Sequence, residues 1–72
     1  MAATALELKV NGTQEHLGVA TIAELIGAKG LDPAQKGIAV ALNGTVVPRR
    51  AWGETPLAAG DAVEIITAKQ GG

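Results

Sequence analysis

The chain closes on Gly71 and Gly72. Glycine has no Cβ and takes extended conformations freely. A Gly-Gly end can therefore thread a narrow channel and present its carboxylate to chemistry inside another protein. The competing reading is a plain chain end, since glycine is common here, at ten of 72 residues. What favours the first is position: the last apolar run feeds straight into the glycines through Ala68, Lys69 and Gln70. The side chains elsewhere offer little. There is no cysteine, which excludes disulfides, thiolate metal sites and a cysteine nucleophile. The one histidine, His16, lies in a polar segment without partners for catalysis or metal binding, and reads as a solvated side chain. The Asp and Glu residues are scattered, with no pair set for acid–base work. No glycine-rich phosphate loop occurs. Catalytic groups and any nucleotide chemistry must come from another protein, and so must any sulfur.

A second group of residues concerns contact rather than chemistry. Ala39 and Ala41 point away from the core side of their strand, and Ile66 points away from Val63 and Ile65. Together they make a small flat apolar patch beside the tail. Scattered surface apolar residues are also ordinary, so both readings stand. Trp52 is the only aromatic residue and is expected as a plug over one end of the core. Arg49 and Arg50 are expected to be solvated, although an acidic partner would suit them.

Length and charge bound the rest. A chain of 72 residues is one domain, and one of this size buries only about 60% of its unfolded surface. Its core is a thin layer between two elements, with no room for a deep active site. Lys and Arg number six against seven Asp and Glu, for a net charge of −1. Nucleic-acid binding would need a cationic surface or stacking aromatics, and neither is there. The N-terminus lacks a cationic segment followed by a long apolar run, so no signal peptide is expected. No stretch approaches the ~20 apolar residues of a membrane helix. The expectation is a cytoplasmic protein, monomeric when free.

These residues must be positioned by short elements. Leu6, Leu8 and Val10 alternate with Glu7 and Lys9, the period of a half-buried strand. Asn11-Gly12 suits a two-residue hairpin turn, and Thr13 to Leu17 returns as a polar edge. Thr21 and Glu24 have capping-box spacing, with Glu24 expected to reach back to the Thr21 amide. Ile22, Leu25 and Ile26 then form one helical stripe. The helix is expected over 22–29, ending at a left-handed Gly30 with Leu31 folded back on Ile26. After a loop from Asp32 to Gly37, Ile38, Val40 and Leu42 face the core from a third strand. Asn43-Gly44 repeats the hairpin signal, and Pro48 ends the return strand because it lacks an amide donor. Residues 49–60 read as a connection. Val63 to Thr67 is a fifth strand, with Val63 and Ile65 inward. Hairpin, helix, hairpin and strand in that order can cover one face of a single sheet, an α+β arrangement.

The segment from Ile38 to Arg49, then Trp52, Leu57, Gly60-Asp61-Ala62-Val63-Glu64-Ile65 and the closing Gly71-Gly72, resembles the ThiS family of thiamine-biosynthesis sulfur carriers. The helix start Thr21-Ile22-Ala23-Glu24-Leu25 fits as well, and only Met1 to Thr4 run ahead of the usual first strand. The resemblance implies a β-grasp (ubiquitin-like) domain over residues 1–67: a mixed five-stranded sheet with one main helix packed on one face, and first and last strands parallel. Residues 68–72 would form a flexible tail. It implies a carrier, not an enzyme. An adenylating enzyme using ATP and Mg²⁺ would activate the Gly72 carboxylate, a cysteine desulfurase relay would supply sulfur, and thiazole synthase would take it from the thiocarboxylate. Lys69, Gln70 and Gly71 would be the part of the tail a partner recognises, with Ile66, Ala39 and Ala41 the face docked on the adenylating enzyme. A carrier serving molybdopterin or cysteine synthesis, a covalent protein modifier and an inert interaction module are the alternatives.

Overall fold

Two Asn-Gly pairs fix the two hairpins. The computed structural model describes residues 5–68. Strand β1 (Leu6–Val10) turns through Asn11 and Gly12 into β2 (Thr13–Leu17). Strand β3 (Ile38–Leu42) turns through Asn43 and Gly44 into β4 (Thr45–Val47). Both turn residues have positive φ in each case, at 51° and 82° in the first turn and 51° and 86° in the second. That is the geometry whose twist matches a two-residue hairpin. The last strand, β5 (Ala62–Thr67), lies between the hairpins, and the sheet order is β2-β1-β5-β3-β4. β5 runs antiparallel to β3, from Leu42 opposite Val63 to Ile38 opposite Thr67. It runs parallel to β1, with Lys9 opposite Ala62 and Val10 opposite Val63. This is the mixed five-stranded β-grasp sheet expected from the resemblance.

The single α-helix, α1 (Ile22–Ala28), is set by its ends. The Thr21 hydroxyl accepts from the Glu24 amide at 3.3 Å. Glu24 reaches back one residue further than expected, accepting from the amide of Ala20, not Thr21, at 2.9 Å. The approach to the helix is extended here because Ala20 and Ile22 are both tied to the 55–57 segment, through Leu57 N to Ala20 O and Ile22 N to Thr55 O. At the other end Gly30 has φ +81°, and the Leu31 amide donates to Ile26 O at 3.1 Å. Leu31 packs against the core, a complete Schellman ending.

The core lies between α1 and one sheet face. Leu8, Ile22, Leu25, Ile26, Val40 and Val63 are fully buried, and Trp52 closes one end at 2% exposure. The stretch expected as a plain connection contains a 3-10 helix, Arg49–Glu54. It presents Trp52 inward, where the indole N–H donates to Val47 O at 2.9 Å. Arg49 is exposed, as expected, but its side chain is engaged. Its guanidinium donates to the carbonyls of Pro33 and Gln35 and lies over the Trp52 ring, 4.7 Å from the centroid. A planar fork of donors suits two carbonyls at once. Arg50 and His16 are exposed.

Candidate functional site

The outward face of the sheet carries the expected patch in register. Ala39 stands directly opposite Ile66 across β3 and β5, so both project from the same face. Ile66 is 63% exposed. Ala41 stands opposite Glu64 on one side and Val46 on the other. Val46, which sequence reasoning left out, is the most exposed large apolar side chain among the described residues, at 73%. The signal for it was available. A two-residue turn at Asn43-Gly44 pairs Leu42 with Thr45, and that register forces Val46 onto the face of Ala41. The patch therefore spans three strands, with Ala39 and Ala41 on the middle one and Glu64 flanking it on β5.

The route to the chain end begins at the same strand. Past Thr67, the Ala68 amide donates to Gly37 O at 2.7 Å, one step beyond the β3–β5 ladder. Lys69, Gln70, Gly71 and Gly72, and the expected freedom of that tail, lie outside the described residues, as does the segment Met1 to Thr4.

Among the described residues no polar or charged side chain is buried, and no three His, Cys, Asp or Glu residues are gathered to hold a metal ion. No helix there is long and apolar enough to cross a membrane. Two side chains have a structural use that spacing did not reveal. Asn11 Oδ1 accepts from the Ile65 amide at 2.7 Å, and Asn43 Oδ1 accepts from the Ala62 amide at 2.9 Å. Each hairpin turn is thereby fastened to β5.

A mixed five-stranded sheet in this order, with one helix packed on one face and an exposed apolar patch on the other, defines the ubiquitin-like class of folds. Comparison with known proteins narrows this. The ThiS family model matches residues 3–72, and the chain belongs to that family: it is a small sulfur carrier of thiamine biosynthesis and not itself a catalyst. It is similar to the crystal structure of the thiamine biosynthesis protein ThiS from Geobacter metallireducens, with 35% identity and a TM-score of 0.75 over 93% of this chain and 100% of that one. A solution NMR structure of a thiamine biosynthesis protein from the same organism is 34% identical, with a TM-score of 0.76 over 93% of this chain and 88% of that one. A search of curated proteins finds no match.

Proposed function

We infer that the chain carries sulfur as a thiocarboxylate on Gly72. The observation behind this is the join between fold and sequence. In a ThiS-family body that buries no polar side chain among the described residues, the central strand β5 leads, through Ala68, to a Gly-Gly end four residues on. A carboxylate is a poor electrophile, because attack would have to expel oxide. An adenylating partner solves this with ATP and Mg²⁺. The Gly72 carboxylate oxygen attacks the α-phosphorus, pyrophosphate leaves, and an acyl-adenylate forms. The terminal sulfur of a persulfide on a cysteine desulfurase relay then attacks the acyl carbon and AMP leaves, giving an acyl disulfide. A second thiol attacks its S–S bond, forming a disulfide and releasing the Gly72 thiocarboxylate. The thiocarboxylate passes its sulfur to thiazole synthase, for the thiazole ring of thiamine.

The carrier's own contributions are reach, shape and docking. Residues 68–72 extend at most about 17 Å at ~3.4 Å each, enough to take a carboxylate into a partner while the body stays outside. Gly71 keeps the channel walls close, and Lys69 and Gln70 are recognised on the way in. Ile66, Ala39 and Ala41, extended by Val46, seat the body on the adenylating enzyme.

Intact-mass spectrometry tests this after incubation with the cognate adenylating enzyme, ATP, Mg²⁺ and a sulfur source. The parent gains the mass of one oxygen replaced by sulfur. Deletion of Gly72 leaves the fold intact but abolishes the gain, because the reactive carbonyl moves by one residue. Gly71→Val folds and loads poorly, since a β-branched side chain meets walls fitted to glycine. Equal loading by the Gly72 deletion would sink the reading and leave an inert tail. Covalent attachment to lysines without a sulfur gain would point to a protein modifier.

A further inference from the structure

Arg49 grips a loop that in turn touches the base of the tail. The loop 32–37 is folded on itself by the Asp32 side chain, which accepts from the Ala34 amide at 2.9 Å, and by Gln35 N to Asp32 O at 2.8 Å. The Arg49 guanidinium holds it from outside through Pro33 O and Gln35 O. Arg49 is itself seated on Trp52, which is 2% exposed and so fixed by the core. Two residues past Gln35, Gly37 accepts from the Ala68 amide at 2.7 Å. Its backbone is left-handed, with φ +84°, and a Cβ there would stand 3.2 Å from Ala68 O. The contact is tight because Gly37 has no side chain, and it falls on the last described residue before the recognised tail.

We propose that Arg49, the 32–37 loop and Gly37 form a clamp that sets the direction in which the chain leaves the domain at Ala68. Arg49 is then a positioning residue for loading of the terminus, although it belongs to the 3-10 helix and not to β5. The proposal rests on the carrier reading above. Its physical basis is reach. The reach of the four residues after Ala68 is fixed, so the point and direction at which Ala68 leaves the body limit where the terminus can arrive. A misplacement of about 1 Å at reacting atoms can cost on the order of a hundredfold in rate.

Steady-state adenylation with the carrier as the varied substrate separates aim from stability. An unfolded fraction of carrier lowers its effective concentration, so a merely structural loss raises the apparent KM and leaves kcat unchanged. A misdirected tail in a correctly docked complex lowers kcat instead. Arg49→Ala is expected to lower kcat about ten- to a hundredfold with KM within about twofold of the parent. Arg49→Lys keeps the cation over Trp52 and one donor to a carbonyl, and recovers part of the loss. Gly37→Asn tolerates the positive φ but puts a Cβ against Ala68, and gives the same fall in kcat from the other end of the clamp. An unchanged kcat in either Arg49→Ala or Gly37→Asn overturns the clamp. If the parent itself forms no acyl-adenylate, it is the carrier reading that fails.

Discussion

Leu25 lies at the centre of the layer between α1 and the sheet, with no exposed surface. Truncating a buried leucine typically costs about 2–5 kcal/mol, and a domain this small has as little as ~5 kcal/mol in all. Leu25→Ala is therefore expected to be largely unfolded at ambient temperature, and a urea or thermal unfolding curve checks it. A midpoint equal to the parent's would mean that the helix does not bury this face. Burial of this kind is legible in a sequence because it follows from local spacing: Ile22, Leu25 and Ile26 make one stripe whatever the rest of the chain does. Arg49 was not legible in the same way. Its carbonyl partners lie 16 and 14 residues away, and they belong to residues whose side chains carry no sign of the contact. Asn11 is the extreme case. Its type announced a turn, but its second role, with Ile65, joins residues 54 apart.

At the scale of elements, α1 is short, at seven residues, and isolated helices of that length do not persist in water. Packing and capping hold it, and one residue works against it. Gly27 sits inside the helix on an exposed position, and a Cβ built there meets nothing within 4 Å. Glycine in a helix interior costs roughly 0.8–1 kcal/mol relative to alanine. Gly27→Ala is expected to raise stability by about that amount and to leave partner binding untouched, because the position lies across the molecule from the outer sheet face. Chemical denaturation with an unchanged slope would register it, and a loss of stability would reveal a contact at Gly27 that the fold does not show. Elements were readable in proportion to how local their signals are. Both hairpins followed from two-residue turns, and the helix start and stop from caps. The 3-10 helix at Arg49–Glu54 escaped because Pro48 was read only as the end of pairing, and a single tryptophan has no period. The pairing of β5 with β3 was not foreseen, and its place beside β1 came from the family resemblance alone. It depends on a parallel pairing of just two residue pairs, which no short-range pattern encodes.

For the molecule as a whole, the proposed function puts docking and chemistry on different parts of the chain, so the two should fail separately. Ile66 faces outward opposite Ala39 and is 63% exposed, so an aspartate there removes no core contact. It adds a second carboxylate beside Glu64 on the same face. In solution both stay hydrated and the fold tolerates them. Against an apolar partner surface the new charge is desolvated without a counterion, which costs far more than the lost side chain. Central apolar residues of interfaces commonly carry 2 kcal/mol or more, and 1.4 kcal/mol is tenfold in affinity. Ile66→Asp is therefore expected to weaken binding to the adenylating enzyme by at least about tenfold, with an unfolding midpoint near the parent's. At saturating carrier its loading rate stays close to the parent's, since the tail is untouched. Deletion of Gly72 has the reverse signature: docking persists and loading is lost. Val46→Asp locates the edge of the surface. If the contact spreads over three strands, it weakens binding as well, and if it is confined to β3 and β5, only Ile66→Asp does. Calorimetric titration of the folded variants decides this, and parent-like affinity in both would remove the outer sheet face as the docking surface.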